Sequence, residues 1–252
     1  MSLLLNGGLI VGWGLSLALS LGTNTHHPPL WALVVLVLVR MQLQTGLFIV
    51  AHDAMHGLLF CRHEHLNNTI GALALMLYAG LPFSDCRNQH QRHHQQPGTS
   101  HDPDFPNDLE CGVVGWYWQF LARYLNQKQM ILLLSSWAIA LAITSVVSHV
   151  SLPLAASRVL LFLTVPLLLS SIQLFVVGTY LPHRQQRSPE HRDHPISLGL
   201  PPWLSLLACF HFGYHREHHD NPGLSWFQLP AARLAHVSSR CIAGSGIVKA
   251  VI

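Results

Sequence analysis

The stretch Leu30-Trp-Ala-Leu-Val-Val-Leu-Val-Leu-Val-Arg40-Met-Gln-Leu-Gln-Thr-Gly-Leu-Phe-Ile-Val-Ala-His52-Asp-Ala-Met-His56 decides the fold. From Leu30 to Ala51 it is apolar for long enough to cross a hydrocarbon core of about 30 Å, which needs about 20 helical residues. It closes on His-x-x-x-His, a spacing that stacks two imidazoles on one helix face. The helix therefore carries a pair of ligand-type side chains to one membrane surface. Arg40, beside Gln42 and Gln44, is a charge within the span, where charge is costly and usually functional. It fits a polar bundle interior or channel, snorkelling, or pairing within the bundle.

The same pattern extends along the chain. Of 252 residues half are hydrophobic and 10% charged, against about 25% charged in soluble domains. Further spanning runs are Leu3 to Gly22, Ile131 to Val147 and Val159 to Leu181. The first has neither a positive leader nor a clean small-residue cleavage site, and reads as a retained helix. A fifth run, Leu66 to Phe83, is shorter, begins with Asn67 and Asn68, and contains two glycines and a proline; it either spans or lies half-inserted. Pro201 to Phe212 and Trp116 to Phe120 suit helices lying in the interface.

Charge placement orients these runs, because cytoplasmic loops collect Lys and Arg. Five basic residues lie between positions 51 and 130 and seven between 183 and 252, so twelve of the 14 fall in two segments, together with all 11 acidic residues. The connections Thr23 to Pro29 and Ser148 to Ser157 carry no charge. The expectation is a single-domain, all-α integral membrane protein spanning residues 1–252. About four transmembrane helices form two hairpins, joined by interfacial helices, with a cytoplasmic His-rich di-metal cap, provided that 66–83 does not cross. The net charge of +3 is too small and scattered for a nucleic-acid binder. Five cysteines without a CxxC pair give neither a disulfide framework nor a zinc ribbon.

Histidine, at 19 residues, outnumbers Lys and Arg combined. Beyond His52 and His56 there are two triplets, His90-Gln-Arg-His93-His94 and His215-Arg-Glu-His218-His219. Each is followed by x-x-Pro-Gly-x-Ser, at Pro97-Gly98 and Pro222-Gly223, where proline stops a helix and glycine turns the chain. An i, i+3, i+4 triplet gathers two rings over one face and a third beside them, so one helix can serve two metals. Eight imidazoles exceed the coordination of one first-row ion, and imidazole suits iron, zinc, copper and nickel. A structural zinc site closes with four ligands, and the protease signatures HExxH and HxxEH are absent from this sequence. A redox di-iron centre is the leading reading. Neutral ligands then call for carboxylates that hold each ring's second N–H. Asp53, Asp102, Asp104, Glu217 and Asp220 lie within or beside the motifs; Asp102-Pro103-Asp104 equally suits an ordinary turn.

The HxxxH, HxxHH and HxxHH groups resemble those of the membrane fatty acid desaturase and hydroxylase superfamily of non-haem di-iron oxygenases. Phe48-Ile-Val-Ala-His52-Asp-Ala-Met-His56-Gly57, His93-His94-Gln-Gln-Pro-Gly-Thr-Ser-His-Asp-Pro-Asp-Phe105 and Cys209-Phe-His-Phe-Gly-Tyr-His-Arg-Glu-His-His219 are similar to the corresponding strings of the bacterial-type β-carotene ketolases. Motif order and total length agree over nearly the whole chain. The resemblance implies a ninth ligand, His183, at the inner end of the last span. Acyl desaturases often carry asparagine four residues earlier, where Thr179 stands. His211, four before His215, suits packing or support of the site. His26, His27, His149 and His236 are read as non-functional, and His101, His191 and His194 do not match the triplet spacing.

The family's chemistry implies two iron ions, O2 as co-substrate, and oxidation of the C4 methylene of a β-ionone ring to a ketone by two rounds at one carbon. β-Carotene would give echinenone and canthaxanthin, and zeaxanthin would give astaxanthin. The chain has no dinucleotide fingerprint and no iron–sulfur cysteine set, so electrons come from outside, by the family expectation from a ferredoxin-type donor meeting a basic cytoplasmic face. The carotenoid would enter from membrane lipid. A carotenoid ring hydroxylase or acyl-lipid desaturase would share metals and donor but differ in product. A histidine-rich metal transporter would instead need a ladder of ligands across the spans.

Overall fold

The structure is a computed structural model that describes residues 2–22, 29–108, 110–187 and 195–246. The described residues are helical and contain no strand. Ten helices run in chain order: α1 Ser2–Gly22, α2 Leu30–Met55, α3 Glu64–Ala79, α4 Phe83–Gln95, α5 Val113–Tyr124, α6 Gln127–Val147, α7 Leu152–Gln186, α8 Pro202–Cys209, α9 His215–Asp220 and α10 Leu229–Gly246. Four of them, α1, α2, α6 and α7, are long and apolar enough to cross a membrane. Each is longer than its apolar run, because helical hydrogen bonding continues into the polar residues that follow. α7 gains most, 35 residues in all. It contains two π-helical stretches, Leu160–Thr164 and Leu174–Tyr180, a widening of the helix that is frequent at functional sites.

α2 is the central post. Leu47, Ile49, Val50 and Ala51 are fully buried against α1, α3 and α7. α3 folds back along it, and Gly71 allows the close approach: a Cβ there would sit 2.7 Å from the Ala54 Cβ and 2.3 Å from Phe83. Asn67 satisfies the end of α2, its amide donating to the Ala54 carbonyl at 2.7 Å and its oxygen accepting the Leu59 N–H at 3.2 Å. The run read as Leu66 to Phe83 ends at Gly80, in the left-handed conformation (φ 67°), and α4 leaves at 98° to α3.

Several polar side chains inside the bundle are paired with one another or with backbone carbonyls. Arg40 is fully buried, its Nε donating to the Phe162 carbonyl at 3.0 Å and one terminal nitrogen to the Trp13 carbonyl and Ser16 Oγ, both at 2.9 Å. Of the alternatives for this residue, the pairing within the bundle is realised, and it ties α1 and the first π-helical stretch of α7 to α2. Gln44 bridges Trp13 Nε1 (2.6 Å) and the Tyr78 carbonyl (2.6 Å), while Thr45 donates to Gln173 Oε1 (2.6 Å) and its Oγ1 lies 2.8 Å from the Ser170 hydroxyl. At the far end of the bundle the Leu21 carbonyl accepts from Ser148 at 3.2 Å and Arg158 at 2.9 Å.

Candidate metal centre

Helix ends place the histidines. α2 presents His52 and His56, α4 presents His90, His93 and His94, the end of α7 presents His183, and α9 presents His215, His218 and His219. All nine converge in two groups, each able to hold one metal ion: His52, His56, His90, His94 and His218, and His93, His183, His215 and His219. The triplets divide as helix geometry dictates. In α4 the i, i+4 pair His90 and His94 joins the first group and His93 the second; in α9 the pair His215 and His219 joins the second and His218 the first. The two short helices thus exchange one ring each. The Pro-Gly endings differ more than their sequences: Gly98 turns with φ 71°, whereas Gly223 is not in the left-handed region.

Within the groups the ring nitrogens approach closely. Nε2 atoms are 2.8 Å apart for His56 and His90, 2.8 Å for His94 and His218, 2.8 Å for His183 and His215, 3.0 Å for His215 and His219, and 3.1 Å for His93 and His219. Nitrogens bound at about 2.1 Å to one ion and at right angles would lie about 3 Å apart. Proton counting points the same way. With neutral rings, His93 Nδ1–H donates to Asp102 at 2.8 Å and His183 Nδ1–H donates to Gln186, so both Nε2 atoms then carry lone pairs; burial lowers the His93 value, but Asp102 outweighs it and raises it. The chain His183, His215, His219, His93 has three contacts and only two rings able to donate, so neutral tautomers satisfy at most two. Four lone pairs directed at one cation satisfy all three. Burial and neighbouring imidazoles hold His215, His218 and His219 well below the ordinary histidine value, hence neutral.

The polar neighbours behave unequally. Asp102 Oδ1 accepts from His93 and from the Asp104 N–H at 2.8 Å, and Oδ2 accepts the Gly98 N–H at 2.8 Å. Burial would raise this carboxyl, but His93 and Gly98 outweigh it and hold it below its ordinary value. Gln186, buried beneath His183, was not singled out by the sequence; its spacing of three from His183 on a helix was the available signal. Asp53 is buried beside His52 but accepts from the Trp226 N–H at 3.4 Å. Glu217 faces Ser197, Arg233 (3.0 Å) and His236 (3.2 Å), and so anchors α10. Asp220 is exposed and pairs with Arg216 at 3.5 Å. His211 is buried, with φ 66°, and stacks on Tyr214. His101 and His149 are exposed, and His26, His27, His191 and His194 lie outside the described residues.

A cavity of about 1180 Å³, its open mouth included, ends at these rings. His52, His90, His93 and His215 line it, so it reaches both groups. The walls are mostly apolar, among them Phe48, Leu133, Trp137, Leu167 and Phe212, and Thr179 and Gly178 of the second π-helical stretch border it. Leu168, which lines it from α7, is 53% exposed. Ligand pockets are typically of this kind, apolar with a few convergent polar groups.

The fatty acid desaturase family matches residues 27–241. A "Beta-carotene ketolase" of Paracoccus sp. (strain PC1) is 39% identical over 90% of this chain and 94% of its own length. Another, of Paracoccus sp. (strain N81106 / MBIC 01143), is 38% identical over 92% of each. A "Zeaxanthin 4-ketolase" of Chlamydomonas reinhardtii is 34% identical over 81% of this chain and 45% of that protein. With two interleaved imidazole groups at the end of an apolar cavity, and with the two Paracoccus relatives matched over nearly their whole length, the chain belongs to the fatty acid desaturase family and, within it, to the β-carotene ketolases.

Proposed function

We propose that this protein is a β-carotene 4-ketolase, converting the C4 methylene of β-ionone rings to a ketone at the expense of O2 and external electrons. The observation that carries the reading is the apolar cavity ending at both imidazole groups, in a chain whose relatives are named for that reaction. His52, His56, His90, His94 and His218 hold one iron ion, and His93, His183, His215 and His219 the other. Bound there, the two ions supply the O2 activation that side chains cannot. The chain's own residues do the rest. The apolar walls take a ring from the bilayer and exclude water, burial favours the neutral form of His215, His218 and His219, and Asp102 and Gln186 keep the Nδ1 protons of His93 and His183 outward so that Nε2 points to the metal.

Residues 1–252 form one domain, with α1–α2 and α6–α7 as two membrane hairpins. The shared contact of α1, α6 and α7 at the Leu21 carbonyl supports this arrangement, since it puts the start of α6 at the histidine end. α3 and α4 then enter and leave on that same side, half-inserted, and the positive-inside bias makes it cytoplasmic. Arg92, Arg184 and Arg216, each adjacent in sequence to a metal-site histidine, suit an acidic ferredoxin-type donor.

Expression in a host that accumulates β-carotene, with pigments resolved by chromatography and mass spectrometry, tests the reading. Each ring oxidised should gain one oxygen and lose two hydrogens, and His218→Ala should make none of this product. Rings that gain oxygen without losing hydrogen would indicate a hydroxylase instead. Unchanged β-carotene from an iron-loaded protein would refute the substrate assignment.

A further inference from the structure

The cavity holds one carboxyl group that the metal site does not use. Asp104 lines it together with His90, His93 and Tyr124. Its backbone is fixed on both sides: the N–H donates to Asp102 Oδ1 at 2.8 Å, the same oxygen that takes the His93 proton, and the carbonyl accepts from Trp116 Nε1 at 2.9 Å. Trp116 is itself locked between Phe105 and Phe175. Asp104 is thereby tied rigidly to the ring that serves the second metal position. Of its side-chain oxygens, Oδ1 accepts from Tyr124 Oη at 2.8 Å, and Oδ2 takes no hydrogen bond among the described residues. Asp104 is half-buried, the one carboxyl group in a mostly apolar lining, and its second oxygen has no counterpart in β-carotene, a hydrocarbon.

We propose that Asp104, oriented by Tyr124, binds the hydroxyl group that the ring acquires in its first oxidation, and so holds the same carbon in place for the second. This rests on the ketolase reading. The first round converts the ring methylene, one O2, two electrons and two protons to a secondary alcohol and one water. The second converts that alcohol, one O2, two electrons and two protons to a geminal diol and one water, and the diol loses water to give the ketone; a one-electron iron–sulfur donor supplies the electrons in both. Between rounds the substrate changes from a hydrocarbon to an alcohol in an apolar cavity. A hydroxyl group left without a partner there would favour release or a turned ring. With Asp104 as partner, the alcohol is retained with its remaining C4–H beside the metal site. Asp104 is thus a substrate-binding residue for the second round and idle in the first.

The test compares wild type, Asp104→Asn, Asp104→Leu, Tyr124→Phe and Leu121→Ala in the β-carotene host, reading the ratio of 4-hydroxy to 4-keto rings. Leu121→Ala loosens the same wall without touching the pair. Asp104→Leu should raise the ratio at least about fivefold, the cost of leaving one hydroxyl group in the cavity without its partner. Asp104→Asn and Tyr124→Phe should give smaller rises, and Leu121→Ala should leave the ratio at its wild-type value whatever the total yield. An unchanged ratio in both Asp104 variants overturns the inference, as does a rise in Leu121→Ala equal to that in Asp104→Leu. Loss of both products from Asp104→Asn and Tyr124→Phe, with protein and iron retained, also overturns it, since the pair would then serve the first round. A wild type that makes no ketone fails the ketolase reading itself, which separates the two.

Discussion

Asp102→Asn tests how the second metal position is built. The carboxylate receives three N–H groups, from His93, Gly98 and Asp104, each at 2.8 Å, and its side chain is 1% exposed. Asparagine has the same shape but only one acceptor oxygen. Either orientation of the amide therefore sets an NH2 against an N–H, leaving a buried donor unmatched at a cost of about 1–3 kcal/mol. His93 also loses the negative charge that makes its Nε2 a stronger ligand. Loss of such a partner typically lowers metal affinity about 10–100-fold, or about 1.4–2.7 kcal/mol. The assay is competition of the purified, iron-loaded protein with graded concentrations of a chelator, reading iron retained per chain. Asp102→Asn should release half of its iron, that of the second group, at about 10–100-fold lower chelator, and Asp102→Ala earlier still. A release curve for Asp102→Ala that overlays the wild type would refute the reasoning.

Three other outcomes follow from the same contacts. Glu217→Gln should leave iron retention within about twofold of wild type, because this carboxylate faces Ser197 and Arg233 and no metal-site ring. It should cost about 1–2 kcal/mol of thermal stability. Burial raises the Glu217 carboxyl, but Ser197 and Arg233 bring it below the ordinary value. Its stabilisation is therefore complete above the ordinary glutamate value and fades as pH falls through the lowered one, a loss that Glu217→Gln should not show in pH-dependent melts. Arg40→Met removes donors from the Phe162 and Trp13 carbonyls inside the bundle and should destabilise by about 3 kcal/mol; a melting temperature equal to wild type in the same detergent would contradict this. Gly71→Ala drives a Cβ to 2.7 Å from that of Ala54. It should cost about 1–3 kcal/mol, and unchanged stability would mean that α3 does not lean on α2 at this point.

Much of this was legible in the sequence because two strong physical signals dominate it. Apolar runs marked all four long helices, since burying about twenty apolar residues in lipid overrides local propensity. The His-x-x-His-His spacing predicted that one helix would feed two metals, because about 3.6 residues per turn puts i and i+4 together and i+3 aside, and α4 and α9 divide in that way. The same-looking carboxylates could not be ranked: Asp102 reaches a ring because Gly98 turns the chain back under α4, whereas Glu217 points to α10 and Asp220 to the surface. Gln186 supports His183 across one helical turn, yet a glutamine carries no chemical signal of its own. The two π-helical stretches and the cavity were also beyond reach. They depend on how α7 passes Arg40 and on which side chains of α5, α6 and α7 face one another, which are tertiary facts with no local signature.

The most direct test of the account is the iron content of the purified, catalytically active chain, measured by elemental analysis against quantified protein. The account predicts two iron ions per chain, falling to about one in His183→Ala with ketone formation lost. A single ion, or a different metal, in protein that still forms the ketone would contradict it.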